Sequence, residues 1–149
     1  MAGKRFAWIF YIIFALVLYA ADVASKRFVI AFGGGVSLNS GISFWLLGGD
    51  GKTAALVMSA AICAVLSAAF VWALHDSRRS LMRAPLALLA AGAAGNLTDR
   101  VVYGHVVEWL PVTAPFFGKL WINAADVWLI VGAGLAVLAL LTAGVANKG

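Results

Sequence analysis

Residues 54–74 read AALVMSAAICAVLSAAFVWAL, a run without one charged side chain. A helix rises about 1.5 Å per residue and the hydrocarbon layer is about 30 Å thick, so this stretch is long enough to cross a bilayer. The rest of the chain agrees. Of its 149 residues 64% are hydrophobic and 11% charged, with a mean hydropathy of +0.99, whereas soluble domains carry roughly a quarter charged residues. Working outward from 54–74, three more apolar runs stand out: Phe6 to Ala24, Ala84 to about Asn96 or Asp99, and Ala125 to Val145. Asn96 is expected to interrupt the third. The fold class that follows is an all-α membrane protein, a four-transmembrane-helix bundle forming one integral-membrane domain over 1–149, with longer segments 25–53 and 100–124 between spans.

Phe6 to Ala21 also has the flanks of a signal-peptide core, with Lys4 and Arg5 before it and small Ala20, Ala21 and Ala24 after it. The run is long for that purpose, and cleavage near Ala24 would part Asp22 from Lys26. It is read as a span. The formal charge of +5 does not point to nucleic acid, because the basic residues fall at span ends and form no stripe interleaved with aromatics. They report orientation instead. Lys4, Arg5, Arg78, Arg79, Arg83 and Lys148 lie on the side of the termini, against Lys26, Arg27, Lys52, Arg100 and Lys119 on the other. The short, arginine-dense turn His75 to Arg83 suits the cytoplasm, so both termini are placed there.

Five of the six acids, Asp22, Asp50, Asp99, Glu108 and Asp126, then face outward. The outer segments hold a β-prone run, Phe28 to Phe32, then Gly33-Gly34-Gly35 and Val36 to Trp45, which predict a small outer sheet. Trp45, Trp109 and Trp121 fit an interfacial belt.

An ionised carboxylate at bilayer depth costs at least ~2.5–3.5 kcal/mol on insertion scales, so several acids in so oily a chain need a reason. Two of them sit in one repeated phrase, Asn96-Leu97-Thr98-Asp99 and Asn123-Ala124-Ala125-Asp126. Asn and Asp three apart share a helical face, which lets the amide orient its neighbouring carboxylate. Asp22 and Lys26, spaced i,i+4, and Asp99 beside Arg100 read as ion pairs that lower the cost of each charge. Glu108 and Asp126 have no base near them in sequence. Brought together, two such carboxyls share a proton, one serving as general acid and the other as general base.

Other chemistry is set aside. Cys63 lies among Ala61, Ile62, Ala64 and Val65 and packs. His75 sits beside arginines and His105 has no second histidine at ligand spacing, so no metal site and no cofactor are expected. Gly92, Gly95, Gly132 and Gly134 allow close helix packing in lipid. A proton-coupled transporter component would carry acids through the membrane depth, yet the second span has none.

Five phrases in order, Asp22-x-x-x-Lys26, Asn39-Ser40-Gly41-Ile42-Ser43-Phe44, Gly95-Asn96-Leu97-Thr98-Asp99-Arg100, Gly104-His105-Val106-Val107-Glu108 and Asn123-Ala124-Ala125-Asp126, resemble the motifs of signal peptidase II, the bacterial lipoprotein signal peptidase. The resemblance implies an intramembrane aspartyl endopeptidase of the bacterial inner membrane, cutting diacylglyceryl-modified prolipoproteins before the lipidated cysteine. It implies a four-helix bundle with an outer β-like cradle and a periplasmic half-helix, acting as a monomer among membrane lipids. Asp126 matches one catalytic aspartate, with Glu108 where the family has the other. Asn39, Asn96, Arg100 and Asn123 become polar groups around substrate and dyad, Asp22, Lys26 and Asp99 fixing charges, and Gly41 and Gly95 places of close approach. Glutamate at 108 departs from the family's aspartate by one methylene. Intrinsic acidity barely changes, about 3.9 against 4.3, but a misplacement of ~1 Å can cost ~100-fold in rate. Either the surroundings have adjusted, or the chain binds lipidated peptides without cutting them; the enzyme is the favoured reading.

Overall fold

A computed structural model of the chain describes residues 2–40, 51–115 and 118–146. Its helices are α1 (Ala2–Ala31), α2 (Gly51–His75), α3 (Arg83–Tyr103) and α4 (Ala124–Ala146), and its strands β1 (Ser37–Asn39), β2 (Val106–Glu108), β3 (Leu110–Ala114) and β4 (Gly118–Ile122). The strands form two antiparallel pairs. β1 lies against β2 with Ser37 opposite Glu108 and Asn39 opposite Val106, and β3 turns back into β4 with Leu110 opposite Ile122.

α3 is the middle of the molecule. It packs against α1, α2 and α4 and buries Leu86, Ala87, Ala90, Ala91, Ala93 and Gly95. The flanking helices turn Phe10, Leu16, Val57, Val65, Ile130 and Leu141 outward, a distribution that water would penalise and lipid does not. Three helical stretches, Trp8–Ala31, Gly51–His75 and Ala124–Ala143, are long and apolar enough to cross a membrane. The molecule is therefore a mostly helical membrane protein with two small sheets at one end.

Missing side chains let α4 press onto α3. A Cβ on Gly92 would stand 2.6 Å from the Ala125 carbonyl oxygen, and one on Gly132 would stand 2.9 Å from Leu89 Cγ, while one on Gly95 would fall onto the Asp22 carboxylate. Gly134 was expected to help in the same way and does not, because a Cβ there would meet nothing within 4 Å. Apolar packing fills the end opposite the strands, where Phe70, Ala73, Leu74 and Leu86 are buried with Trp8, Tyr11 and Phe14 against them. At that end a short 3-10 helix, Ser77–Met82, joins α2 to α3, capped by Asp76, whose side chain accepts from the Arg78 amide. Arg83 closes the turn by donating to the carbonyls of Ala73 (3.0 Å) and Leu74 (3.4 Å), which α2 leaves without intrahelical partners.

Two local expectations are corrected. Phe28 to Phe32 is not a strand. α1 runs through it to Ala31, beyond the expected boundary at Ala24, and stops at Gly33, which takes φ 69°. The Gly34 amide donates to Val29 O (2.9 Å) and the Gly33 amide to Ile30 O (3.4 Å), the paired bonds of a Schellman cap. The glycine run thus ends a helix instead of turning a hairpin, and β-branched residues remain helical ahead of it. Asn96 does not interrupt α3 either, because its amide bonds to partners on other elements and the helix continues to Tyr103. Gly41, Asp50 and Trp45 fall outside the described residues.

Candidate functional site

The candidate site residues of the described sequence, Asp22, Lys26, Asn39, Asn96, Asp99, Arg100, Glu108, Asn123 and Asp126, lie at the strand end of the bundle. Lys26 is the first centre. Its Nζ lies 2.7 Å from Asp22 Oδ2 on the next turn of α1 and 2.9 Å from Asp99 Oδ2 on α3. Relative exposures of 0% for Asp22, 1% for Lys26 and 3% for Asp99 put the three charges out of reach of solvent, where an ion pair survives only if its remaining atoms are also satisfied. They are tied in: Asp22 Oδ1 accepts from the Ala125 amide at the start of α4 (2.8 Å) and Asp99 Oδ2 from the Val107 amide of β2 (3.0 Å). One lysine thereby joins α1, α3, α4 and β2.

The expected pairing of Asp99 with Arg100 is not made. Consecutive helical residues point about 100° apart, so Asp99 turns inward to Lys26 while Arg100 turns toward α2 and donates from Nη1 to Asn96 O (3.4 Å). Arg100 Nε is buried and has no hydrogen-bond partner among the described residues.

Asn96 is the second centre. Its Oδ1 accepts from Lys26 Nζ (3.3 Å) and from Asn123 Nδ2 (3.1 Å), and with the oxygen so engaged, Nδ2 donates to Asp126 Oδ1 (2.8 Å). Its amide therefore serves the acid of the other repeat and not Asp99. In that other repeat the geometry is a capping box: Asn123 precedes α4, its Oδ1 accepts from the Asp126 amide (2.9 Å), and Asp126 Oδ2 accepts from the Asn123 amide (3.1 Å). Asn123 Nδ2 also reaches Val107 O (3.2 Å), binding α4 to β2.

Glu108 completes the group. β2 carries it at the edge of the bundle, 9% exposed, and Asn39 Nδ2 from β1 donates to its Oε1 (2.7 Å). Burial first, then the Asp126 charge, push its carboxyl above the ordinary glutamate range, opposed by the Asn39 hydrogen bond, Arg100 and Lys26. The arrangement presents two carboxyls of unlike surroundings within each other's field, the condition for one to hold a proton while the other accepts one. A cleft of about 210 Å³ opens between α2, α3 and α4 and reaches Asn96, which donates to Asp126. Ala55, Met58, Ala93 and Leu129 make its walls, and Asn96 and Arg100 supply polar atoms.

Three participants carry no signal in the sequence. The amides of Val107 and Ala125 and the carbonyl of Val107 are backbone groups, and any residue would supply them. Ser59 lines the cleft but looked like any small residue in an apolar span. Thr98 Oγ1, 3.1 Å from Tyr19 Oη, lay inside a motif that drew attention to its neighbours.

The family model for signal peptidase (SPase) II matches residues 11–142. Among curated proteins, the lipoprotein signal peptidase of Mesorhizobium japonicum is 38% identical over 102 residues, 66% of this chain and 58% of that protein. The lipoprotein signal peptidases of Brucella ovis and Brucella canis are each 36% identical over 67% of this chain and 61% of theirs. The matched part of the chain thus spans about three-fifths of these relatives' length. Two solved structures described as bacterial membrane enzymes share the fold: one has a TM-score of 0.73 at 24% identity, covering 93% of this chain and 91% of its own, the other 0.70 at 25%, covering 88% and 92%. Three apolar helices and these bacterial relatives support a multi-pass inner-membrane protein. With a family model matched over most of its length, the chain belongs to the signal peptidase II family.

Proposed function

We propose that the protein is an intramembrane aspartyl endopeptidase that removes signal peptides from diacylglyceryl-modified prolipoproteins, cutting before the lipidated cysteine. The observation that carries this reading is that Glu108 and Asp126 come from two different elements to within reach of each other's charge, each held by an asparagine, Asn39 and Asn96 respectively.

In this reading Asp126 is the general base. Its carboxylate takes a proton from a water molecule as the water oxygen bonds to the scissile carbonyl carbon, and Glu108, whose hold on a proton burial strengthens, serves as the acid that gives a proton to the carbonyl oxygen. The tetrahedral diol then collapses: Glu108 recovers a proton from one hydroxyl, Asp126 passes its own to the leaving nitrogen, and the C–N bond breaks. Asp22, Lys26 and Asp99 touch neither reacting atom and fix the elements that present the acids. The cleft between α2, α3 and α4 leads an apolar, extended segment to Asn96 and so to Asp126, with lipid at its open side.

The same reading counts four crossings. α3 has 21 residues, about 31 Å of helix, and packs against the other three, with Asn96 and Asp99 bonded to groups of the molecule itself. Both termini then face the cytoplasm, the strands form an outer cradle, and the chain acts as a monomer. The test is cleavage of a lipidated prolipoprotein peptide by the purified full chain in lipid nanodiscs. Glu108→Gln and Asp126→Asn are each expected to lower turnover at least ~1,000-fold, the scale of losing a reacting group, while peptide binding persists. Full turnover in either variant rejects the dyad.

A further inference from the structure

The end of the bundle away from the strands holds charges that take no part in the site above. The 3-10 helix Ser77–Met82 carries Arg78 and Arg79, and one acid serves both: Asp76 Oδ1 lies 3.5 Å from Arg78 Nε and Asp76 Oδ2 lies 3.4 Å from Arg79 Nε. Two guanidiniums against one carboxylate leave a surplus positive charge. Arg83 does not share that duty, being folded onto the carbonyls of Ala73 and Leu74. The Arg78 side chain is 91% exposed. Arg79 Cζ stands 3.7 Å from the centre of the Trp72 ring, a cation–π contact beside an indole that is itself turned outward. Both arginines meet Asp76 at Nε, and among the described residues no acceptor takes their Nη groups. Such a fork of donors matches two oxygens of a phosphate.

A groove begins at the same turn. It encloses about 320 Å³ between α3 and α4, with Leu81, Ala84, Pro85, Leu135, Leu138 and Thr142 along it. The two helices press together at Gly132, where a Cβ would stand 3.0 Å from Pro85 O and 3.1 Å from Leu88 Cβ. Further along α4 the groove is lined by Ala84 and Ala139, too short to close the gap. Thr142 adds no free polar group, because its hydroxyl donates to Leu138 O (3.1 Å) and Ala139 O (3.0 Å) of its own helix. Leu81 and Leu138 are exposed, as the walls of a lipid-facing slot would be. Leu81 joins the two features. It follows Arg78 by three residues, at most ~11 Å of chain, so the apolar slot opens beside the guanidiniums.

We propose that the α2–α3 turn and the α3–α4 groove form one binding site for an anionic phospholipid, with its phosphate on Arg78 and Arg79 and an acyl chain in the groove from Leu81 toward Leu135. An apolar chain beneath an anionic head is the outline that a slot capped by basic groups between membrane helices selects. Asp76 then has two duties: it caps the turn and spaces the two guanidiniums. The site lies at the opposite end from Glu108 and Asp126 and does not depend on the protease reading.

The experiment titrates the full-length protein in micelles with phosphatidylglycerol or with phosphatidylcholine of the same acyl chains. Native mass spectrometry counts bound lipid, and melting temperatures are recorded in parallel. Wild type is expected to prefer phosphatidylglycerol about fivefold, the scale of one basic group at a membrane surface, and to melt higher with it. Arg78→Gln/Arg79→Gln abolishes that preference and keeps the affinity for phosphatidylcholine. Ala139→Phe fills the groove and weakens both lipids about tenfold, the loss of roughly two buried methylenes; Leu138→Trp does the same from the exposed side should Ala139→Phe fail to fold. Arg27→Gln/Lys119→Gln removes as much charge elsewhere and keeps the preference, and a millimolar excess of inorganic phosphate does not displace the lipid. A preference that survives Arg78→Gln/Arg79→Gln, falls equally in Arg27→Gln/Lys119→Gln or yields to inorganic phosphate overturns the proposal. So does binding that neither groove variant weakens. No peptide enters these measurements, so their failure and the failure of the protease reading are separate results.

Discussion

The chain uses one phrase twice and makes two different things of it. In Asn96-Leu97-Thr98-Asp99 the two polar residues part company. Asp99 goes to Lys26 and to the Val107 amide, while Asn96 reaches across to the acid of the other copy. In Asn123-Ala124-Ala125-Asp126 they stay together, as the reciprocal cap of α4. The difference is position in the helix. Residues 96–99 lie inside α3, where backbone amides are already bonded and side chains must look outward for partners. Residues 123–126 open α4, where the first amides are free and a carboxylate three residues on is drawn back to the cap. Identical letters acquire a bracing acid in one place and a presented acid in the other.

The comparison is most severely tested at Lys26, which should matter to the first phrase and not directly to the second. Lys26→Met leaves Asp22 and Asp99 buried without a counter-charge, and breaking such a pair costs about 3–5 kcal/mol. Unfolding of the variant in micelles should show a loss of that size, and a loss below about 1 kcal/mol would mean that Asp99 does not depend on the lysine. Asn96 sharpens the contrast, since it belongs to the first phrase by sequence and to the second by its bond. Asn96→Leu deprives Asp126 of a donor and leaves buried amide partners unmatched, about 2 kcal/mol by the cost of an unsatisfied group. Turnover of the lipidated peptide should fall about 100-fold as Asp126 loses its fixed orientation; stability lost with turnover intact would return Asn96 to a packing role. The smallest effect separates the two duties of Asn123. Serine caps a helix as well as asparagine but lacks the amide that reaches Asn96 and Val107 O. Asn123→Ser should therefore cost only about 1 kcal/mol in the same unfolding measurement, and hydrogen exchange at the Asp126 amide should stay protected. Rapid exchange there would show that the cap depends on more than its side-chain oxygen.

What could be read beforehand was the list of participants, because isolated polar residues in an apolar chain are costly and stand out. Which of them touch was less legible. Asp99 and Arg100 are neighbours in sequence and diverge around the helix, whereas Lys26 and Asp99 meet only because α1 and α3 pack side by side. Phe28 to Phe32 has the composition of a strand, yet it lies on a helix, where tertiary context outweighs propensity, and only the positive φ of Gly33 marks its end. α3 was the faintest of the four helices for a related reason. Its apolar content is lowered by the residues that give it partners, and the cover provided by α1, α2 and α4 is a property of the assembled molecule. The cleft was invisible, its walls being alanine, serine, methionine, isoleucine and leucine side chains that differ from other span residues only in what faces them.

The i,i+4 spacing of Asp22 and Lys26 bears on how such a protein enters the bilayer. Within α1 alone the two side chains already offset each other, so Lys26 can enter the bilayer already paired with Asp22. Asp99 has no such companion on α3, and its cation is waiting on α1. The α1 pair is thus complete within one helix, whereas Asp99 meets its cation only when α3 docks against α1.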